Sequence, residues 1–287
     1  MMVGVFLRKA QLISQTTVQD LGGMLVRVIL PVVIVRSFLV ESTPAIRLEM
    51  IQAGVLSCAA MAVAMILSSL CFSPQYPAEK FAAFVCNAGF IGIPLVKAAL
   101  GDEMVLYVGL LIGINNLAMW TYGVFALTGD CRNIRPKKVF LGPGVQSIVI
   151  GLVLFFTGIP LPTFILQTMD HISALSTPVA MLLLGAYLAK TNLTASLRRP
   201  ILIKCVLCRL LLMPLATFAV FAMIPWGSDA LKTALLIAVA TPVGSNVVVF
   251  SSHYCEDHET ATQAICLSTL LCLVTLPMIS KLAVLVF

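Results

Sequence analysis

Apolar stretches of about 20 residues recur along the whole chain, and short polar segments with proline or glycine separate them. A helix of about that length is needed to cross a lipid bilayer. The pattern predicts a short apolar stub at residues 1–7, followed by nine membrane-spanning helices. We place these helices at residues 21–40, 49–72, 79–100, 104–128, 139–158, 172–189, 200–224, 230–253 and 261–286. The predicted fold class is therefore an all-α polytopic membrane protein.

Four prolines inside these apolar stretches indicate an internal repeat. Pro31 and Pro94 are 63 positions apart, and Pro178 and Pro242 are 64 positions apart. An unusual feature that recurs at one spacing in both halves is expected of a transporter built from a repeated unit. We divide the chain into a first transmembrane repeat at 1–128, a cytoplasmic basic loop at 129–138 and a second transmembrane repeat at 139–287.

The repeat also predicts one helix that the chain holds only in part. In the second half, helix 139–158 precedes Pro178, so a matching helix is expected before Pro31, where residues 1–7 supply only its end. We expect ten helices in two units of five, with the first helix mostly missing and further apolar residues encoded upstream. Because five is an odd number, the two units have opposite orientations in the membrane, which makes the predicted repeat inverted.

Asparagine and glycine accompany proline in the middle of two predicted spans, in "CNAGFIGIPL" and in "ATPVGSN". Proline removes a backbone donor and clashes with the preceding turn, and glycine lets a second backbone approach closely. Irregular backbone survives at this depth only where it lines a cavity or is buried in protein. We therefore predict two broken helices that cross at a pseudo-twofold axis. A proline kink that only packs helices together is the alternative.

A broken helix exposes a new helix N-terminus, whose free N–H groups and partial positive charge suit an anion. The two breaks therefore predict a site for a small organic anion, and Asn116 on the following helix is predicted to form a polar wall of its cavity. The candidate substrate-binding residues are Asn87, Gly89, Gly92, Pro94, Asn116, Thr241, Pro242, Gly244, Ser245 and Asn246.

Two arginines, Arg27 and Arg209, lie about a third of the way into predicted spans from the cytoplasmic side. An arginine at this depth either attracts a substrate carboxylate or extends to the cytoplasmic surface. No Asp or Glu falls at the middle of a predicted span, so the sequence contains no evident carboxylate relay for protons. Coupling to H⁺, coupling to Na⁺ and uncoupled transport all stay open, and no cofactor is predicted.

Composition and charge narrow the functional classes. Hydrophobic residues make up 60% of the chain and charged residues 10%, whereas soluble domains carry about 25% charged residues. The net charge of +6 comes from cations in short loops, concentrated on the side of loop 129–138, which indicates membrane topology with that side in the cytoplasm. We predict a multi-pass protein of the cell (plasma or inner) membrane that contacts lipid and no nucleic acid. A homodimer stays open.

Catalytic and metal-binding patterns are not found in the sequence. It has no nucleophile elbow, phosphate-binding loop or HExxH motif, so we predict neither an enzyme nor a metal site. The segment "HYCEDH" is interpreted as a cytoplasmic loop, with a metal site as the alternative.

Five segments together resemble the auxin efflux carrier family of membrane transporters, which includes bacterial malate and malonate carriers and the plant auxin exporters. The segments are "NAGFIGIPL", "GDEMVLYVGLLIGINNLAMWTYG", "STPVAMLLLGAYLA", "TPVGSNVVVFSSHY" and "LSTLLCLVTLPM". The resemblance covers nearly the whole chain. It implies two inverted five-helix repeats whose fourth and ninth helices cross at the substrate site, and elevator-like movement of one bundle against a scaffold.

The chain departs from this family in two ways. Most of the first helix is absent, and the long cytoplasmic loop of the plant exporters is reduced to residues 129–138. The short loop favours a compact carrier of the prokaryotic type. We predict a secondary transporter, or permease, for a small organic anion such as a dicarboxylate. A membrane sensor that binds the same solutes without transporting them is the alternative.

Overall fold

A computed structural model describes residues 2–134, 142–190, 197–255 and 257–287, and over these residues the protein is helical, with no strand. Residues 135–138 of the predicted basic loop, with Arg135, Lys137 and Lys138, lie outside the described residues, and the division of the chain into two repeats stays a prediction. The first seven helices are α1 Met2–Lys9, α2 Gln15–Ser37, α3 Pro44–Cys71, α4 Pro77–Phe84, α5 Ala88–Leu100, α6 Asp102–Thr128 and α7 Pro143–Thr157. The remaining six are α8 Thr163–Ala174, α9 Ser176–Lys190, α10 Pro200–Met223, α11 Asp229–Val239, α12 Asn246–Tyr254 and α13 His258–Val286.

Six segments of the described chain are helical, long and apolar enough to cross a membrane. They are α2, α3, α6, α10, most of α13, and the run Thr163–Tyr187 that contains α8 and most of α9. The sequence predicted a span at each of these places. Two other predicted spans, 79–100 and 230–253, are each divided into two shorter helices, α4 with α5 and α11 with α12. The protein is thus a multi-pass membrane protein, while the ten-helix inverted repeat stays a prediction.

Several predicted boundaries differ from the structure. The spans predicted to begin at residues 21 and 49 begin at Gln15 and Pro44, and two further differences have a local explanation. The span expected at 172–189 begins at Thr163 instead, because the segment "TFILQTMDHISA" forms the amphipathic helix α8 ahead of α9. The span expected at 139–158 is the shorter helix α7, which begins at Pro143, directly after the extended residue Gly142. Proline is well suited to the first turn of a helix because the N–H it lacks has no partner there.

The helices form two bundles. In the smaller one, α1 packs against α9, and α2 packs against α7, α8 and α9. The larger bundle consists of α3 to α6 and α10 to α13, with α13 in contact with α4, α10, α11 and α12. Helices α5 and α6 of the larger bundle contact α9 and α7 of the smaller one, so the two broken helices lie in the larger bundle, next to the boundary between the two.

Widened π turns interrupt four of the helices, and three of these turns end two residues before a proline. They are Leu25–Ile29 before Pro31, Ala88–Gly92 before Pro94 and Cys208–Leu212 before Pro214. The proline ring clashes with the carbonyl four residues earlier in a regular helix, and a wider turn relieves that clash. The prolines at positions 31 and 94 are therefore accommodated inside helices and do not themselves end them.

Candidate functional site

The two interrupted segments lie side by side and pair through their backbones. The interruption between α4 and α5 covers residues 85–87, and the one between α11 and α12 covers residues 240–245. The Asn87 N–H donates to the Pro242 carbonyl at 3.0 Å, and the Gly244 N–H donates to the Val85 carbonyl at 3.1 Å. These bonds make an antiparallel bridge between Cys86 and Val243. The chain therefore passes through the two interruptions in opposite directions, and we refer to this paired region as the crossing.

Glycine at position 244 permits this close approach. A Cβ atom there would lie 2.7 Å from Val85 Cγ1 and 3.0 Å from the Cys86 carbonyl oxygen, so any larger residue would push the two backbones apart. Gly92, one turn into α5, also lies where the two broken helices pack, but a Cβ atom there would be 3.4 Å from the Cα atom of Ala238 in α11, which is an ordinary contact distance. Of the predicted glycines, Gly244 is therefore the one that the close backbone pairing requires.

The second interruption is held by side chains that satisfy its buried backbone. The Ser268 hydroxyl, on α13, accepts a hydrogen bond from the Val243 N–H at 3.1 Å and donates one to the Ile265 carbonyl at 3.1 Å. Within the interruption, Thr241 donates to the Ala238 carbonyl at 2.7 Å. The sequence analysis did not single out Ser268. The available signal was a serine in an otherwise apolar stretch, which is a weak one, since serines also bond back to their own helix.

Two asparagine side chains reach the crossing. Asn87 is only 4% exposed, and its Nδ2 lies 3.4 Å from Ser245 Oγ. Asn115, on α6, donates from Nδ2 to the Cys86 carbonyl at 3.4 Å, while its Oδ1 is buried and has no hydrogen-bond partner among the described residues. A buried acceptor without a partner is costly, so it marks a position where a hydrogen-bond donor, such as water or a hydroxyl of a solute, would complete the bonding.

The other candidate residues occupy different surroundings. Asn116 packs against Gly144 at the start of α7, so it is its neighbour Asn115 that reaches the crossing. Gly89 faces Leu30 of α2, with 3.2 Å between a Cβ placed there and Leu30 Cδ1. Pro94 is half-buried inside α5, beyond the interruption. Asn246, also half-buried, is the first residue of α12.

Arg209 links both broken helices at the crossing. It is 1% exposed, and its Nη1 lies 3.0 Å from the Phe84 carbonyl oxygen and 3.4 Å from that of Ala83. Its Nη2 donates to the Val239 carbonyl. These carbonyls belong to the last residues of α4 and α11, so Arg209 does not extend to the membrane surface. Arg27, the other arginine that the sequence analysis placed inside a predicted span, is exposed on α2.

A small cavity lies beside Ser245, at the boundary between the two bundles. It is lined by Tyr187 of α9, by Ser245 and Val248, and by Thr262, Ile265 and Cys266 of α13. Its volume of about 10 Å³ is enough for one water molecule and too small for a dicarboxylate. Among the described residues, no group of three or more His, Cys, Asp and Glu side chains is placed to hold a metal ion.

Comparisons with known proteins identify the family of the chain. The model of a family described as "Membrane transport protein" matches residues 1–136 and 127–280, nearly the whole chain. A protein of Rhizobium meliloti (strain 1021), named "Putative malonate transporter", is 26% identical to the chain over 209 residues. That match covers 69% of this chain and 64% of the relative, so it spans less than two thirds of the relative's length. The resemblance in the sequence motifs is therefore confirmed, and the chain belongs to the membrane transport protein family of auxin efflux carriers.

Proposed function

We propose that the protein is a secondary transporter that moves a small organic anion, such as a dicarboxylate, and that the anion binds at the crossing. The observation that supports this most is the antiparallel pairing of two broken helices next to two buried asparagine amides. Unwound backbone at the middle of a membrane protein is tolerated only where it lines a cavity or is buried in protein. In secondary transporters, discontinuous helices of this kind typically form the site for substrate.

The charge distribution around the crossing favours an anion. Helices α5 and α12 both begin there, and the amides of a first helical turn have no partner within their own helix. These helix starts carry partial positive charge, and the side-chain amides of Asn87 and Asn115 add donors. The guanidinium of Arg209 adds a full positive charge on the other side of the interruptions. The relative's name refers to malonate, which is a dicarboxylate.

Substrate entry requires movement between the two bundles. The cavity beside Ser245 is too small for a dicarboxylate in this conformation, and Tyr187 of the smaller bundle forms part of its wall. Displacement of the larger bundle along the smaller one would open this boundary and carry the crossing with it. This is the elevator-like movement that the sequence resemblance implies, with α1, α2 and α7 to α9 as the scaffold.

Uptake into proteoliposomes tests the proposal. Radiolabelled malonate and malate are offered to vesicles that contain the wild-type protein or the variants Asn87→Ala and Asn246→Ala. A hydrogen bond to a charged group contributes about 1.5–3 kcal/mol, so each variant should bind substrate roughly ten- to a hundredfold more weakly. Asn133→Ala is the control, because Asn133 is exposed in a short turn outside the crossing and its loss should change nothing.

Three outcomes would contradict the proposal in different ways. If both site variants bind and take up substrate as well as the wild-type protein does, the substrate does not bind at the crossing. Variants that fail to fold would show that the two asparagines hold the structure together and do not bind substrate. Saturable binding of dicarboxylates without any uptake would favour the membrane sensor.

A further inference from the structure

Arg209 is a buried arginine whose hydrogen-bond partners are all backbone carbonyls. It lies in the π turn of α10, and its side chain is directed into the protein, where it is almost completely buried. Its two terminal nitrogens bond to the carbonyls of Ala83, Phe84 and Val239. Its Nε is also buried and has no hydrogen-bond partner among the described residues. All three acceptors are terminal carbonyls of a broken helix, and none is a carboxylate.

The ends of α4 and α11 are the negative ends of two helix dipoles. The last carbonyls of a helix lack partners within it, and together they carry partial negative charge. In secondary transporters with broken helices, such carbonyl ends and unwound backbone are where a coupling Na⁺ is coordinated. In this chain, the corresponding carbonyls of both broken helices bond to one guanidinium group, which is always charged and carries five N–H donors in a rigid plane.

We propose that Arg209 is a built-in cation at the crossing, in the position that a coupling Na⁺ would otherwise take. This inference rests on the proposed transport function and specifies its ion dependence. A second cation has little reason to bind, because the carbonyls are already engaged and a fixed positive charge lies between them. The carrier therefore does not use Na⁺ at these carbonyls.

The same geometry defines what remains when the side chain is removed. Substitution of Arg209 by alanine leaves the carbonyls of Ala83, Phe84 and Val239 without their donors, around a space that matches a guanidinium ion. Free guanidinium added from solution should occupy that space and restore the bonds. If the Arg209 side chain only filled space, added guanidinium would not stabilise the alanine variant.

Thermal unfolding of the purified protein in detergent tests the proposal without any substrate. The melting temperature of the wild-type protein should be the same in Na⁺, K⁺ and choline at equal ionic strength. Arg209→Ala should melt at a lower temperature, and millimolar guanidinium should raise that temperature saturably, by about 2–4 °C. Methylammonium at the same concentration is the ionic control and should have a smaller effect, because it lacks the planar set of donors.

Arg27→Ala is the matched control. Arg27 also lies in a π turn before a proline, but it is exposed on α2, so guanidinium should not stabilise that variant. Arg209→Lys should fold and stay indifferent to Na⁺, because an ammonium group still donates to the carbonyls. If Arg209→Ala does not fold, the melting temperatures of the wild-type protein and of Arg209→Lys in Na⁺, K⁺ and choline test the inference.

Two results would overturn the inference. One is a wild-type melting temperature that rises specifically with Na⁺, and the other is a folded Arg209→Ala protein that does not respond to guanidinium. Failure of the proposed function would look different, because the ion series would behave as expected while no organic anion is bound or taken up.

Discussion

The two interruptions that meet at the crossing differ in how they are built. The first covers three residues, 85–87, and a π turn follows it directly. It contributes the amide side chain of Asn87. The second covers six residues, 240–245, includes Pro242, and is held by hydroxyls from Thr241 and from Ser268 on α13. The first interruption therefore supplies a buried amide side chain of its own, whereas the second supplies a fixed backbone frame that is followed by Asn246 at the start of α12.

The pairing register explains why the two interruptions are not chemical copies. Cys86 lies opposite Val243, and Asn87 bonds to the carbonyl of Pro242. Pro94 lies well inside α5, whereas Pro242 lies within its interruption, so the matched proline spacing does not align the two crossing points. The two paired segments thus lie at different distances from the prolines that indicated the repeat. Three substitutions test this difference between the interruption at 85–87 and the one at 240–245.

The largest effect is expected where the frame touches the partner backbone. Gly244→Ala places a methyl group 2.7 Å from Val85 Cγ1 and 3.0 Å from the Cys86 carbonyl oxygen. Overpacking of this kind costs up to about 3 kcal/mol, so the melting temperature and the yield of folded protein should fall. Gly89→Ala is the matched control, because its new methyl group meets only the flexible end of Leu30 at 3.2 Å. Equal stability of the two variants would contradict the close pairing.

The next largest effect concerns the side chain that holds the frame from α13. Ser268→Ala removes the acceptor for the Val243 N–H, which then stays buried without a partner. The expected loss is about 2 kcal/mol in the free energy of unfolding, measured by thermal or denaturant unfolding. The adjacent Thr269 is equally buried, but within the part of the chain that the structure describes its hydroxyl has no hydrogen-bond partner, so Thr269→Val should be neutral or stabilising. A loss of the same size in both variants would show that packing on α13, and not the bond, is what matters.

The smallest effect is expected at Asn115, and it should appear in binding more than in stability. Asn115→Leu removes a buried Oδ1 for which the described residues offer no hydrogen-bond partner, together with one long hydrogen bond to the Cys86 carbonyl. The melting temperature should therefore change little, while substrate binding weakens roughly tenfold, which corresponds to about 1.4 kcal/mol. Substrate affinity is measured by scintillation proximity or by calorimetry. Unchanged affinity together with a lower melting temperature would make Asn115 a structural residue.

Part of this picture could be predicted from the sequence. Apolar length located the membrane helices, and proline with glycine and asparagine located both interruptions, because these residue types restrict the backbone wherever they occur. The start of α8 at Thr163 was missed because its segment is amphipathic and less apolar than the other spans.

Side-chain direction could not be predicted. Asn115 and Asn116 are adjacent on α6, and only the packing of that helix decides which of them faces the crossing. Arg27 and Arg209 have the same local pattern, a π turn followed by proline, yet one is exposed and the other is buried among carbonyls. Such differences arise from tertiary contacts between segments that are far apart in the chain.

The short helix α7 has a consequence for the surrounding lipid. Its 15 residues span about 22 Å at 1.5 Å per residue, less than the roughly 30 Å of a typical hydrocarbon core. Its outer face is apolar and exposed at Val149, Ile150, Val153 and Phe156, as expected for contact with acyl chains. Hydrophobic mismatch of this size is relieved when the bilayer thins locally. We therefore expect lipids next to α7 to be compressed, and the proposed transport should depend on the acyl-chain length of the membrane that holds the protein.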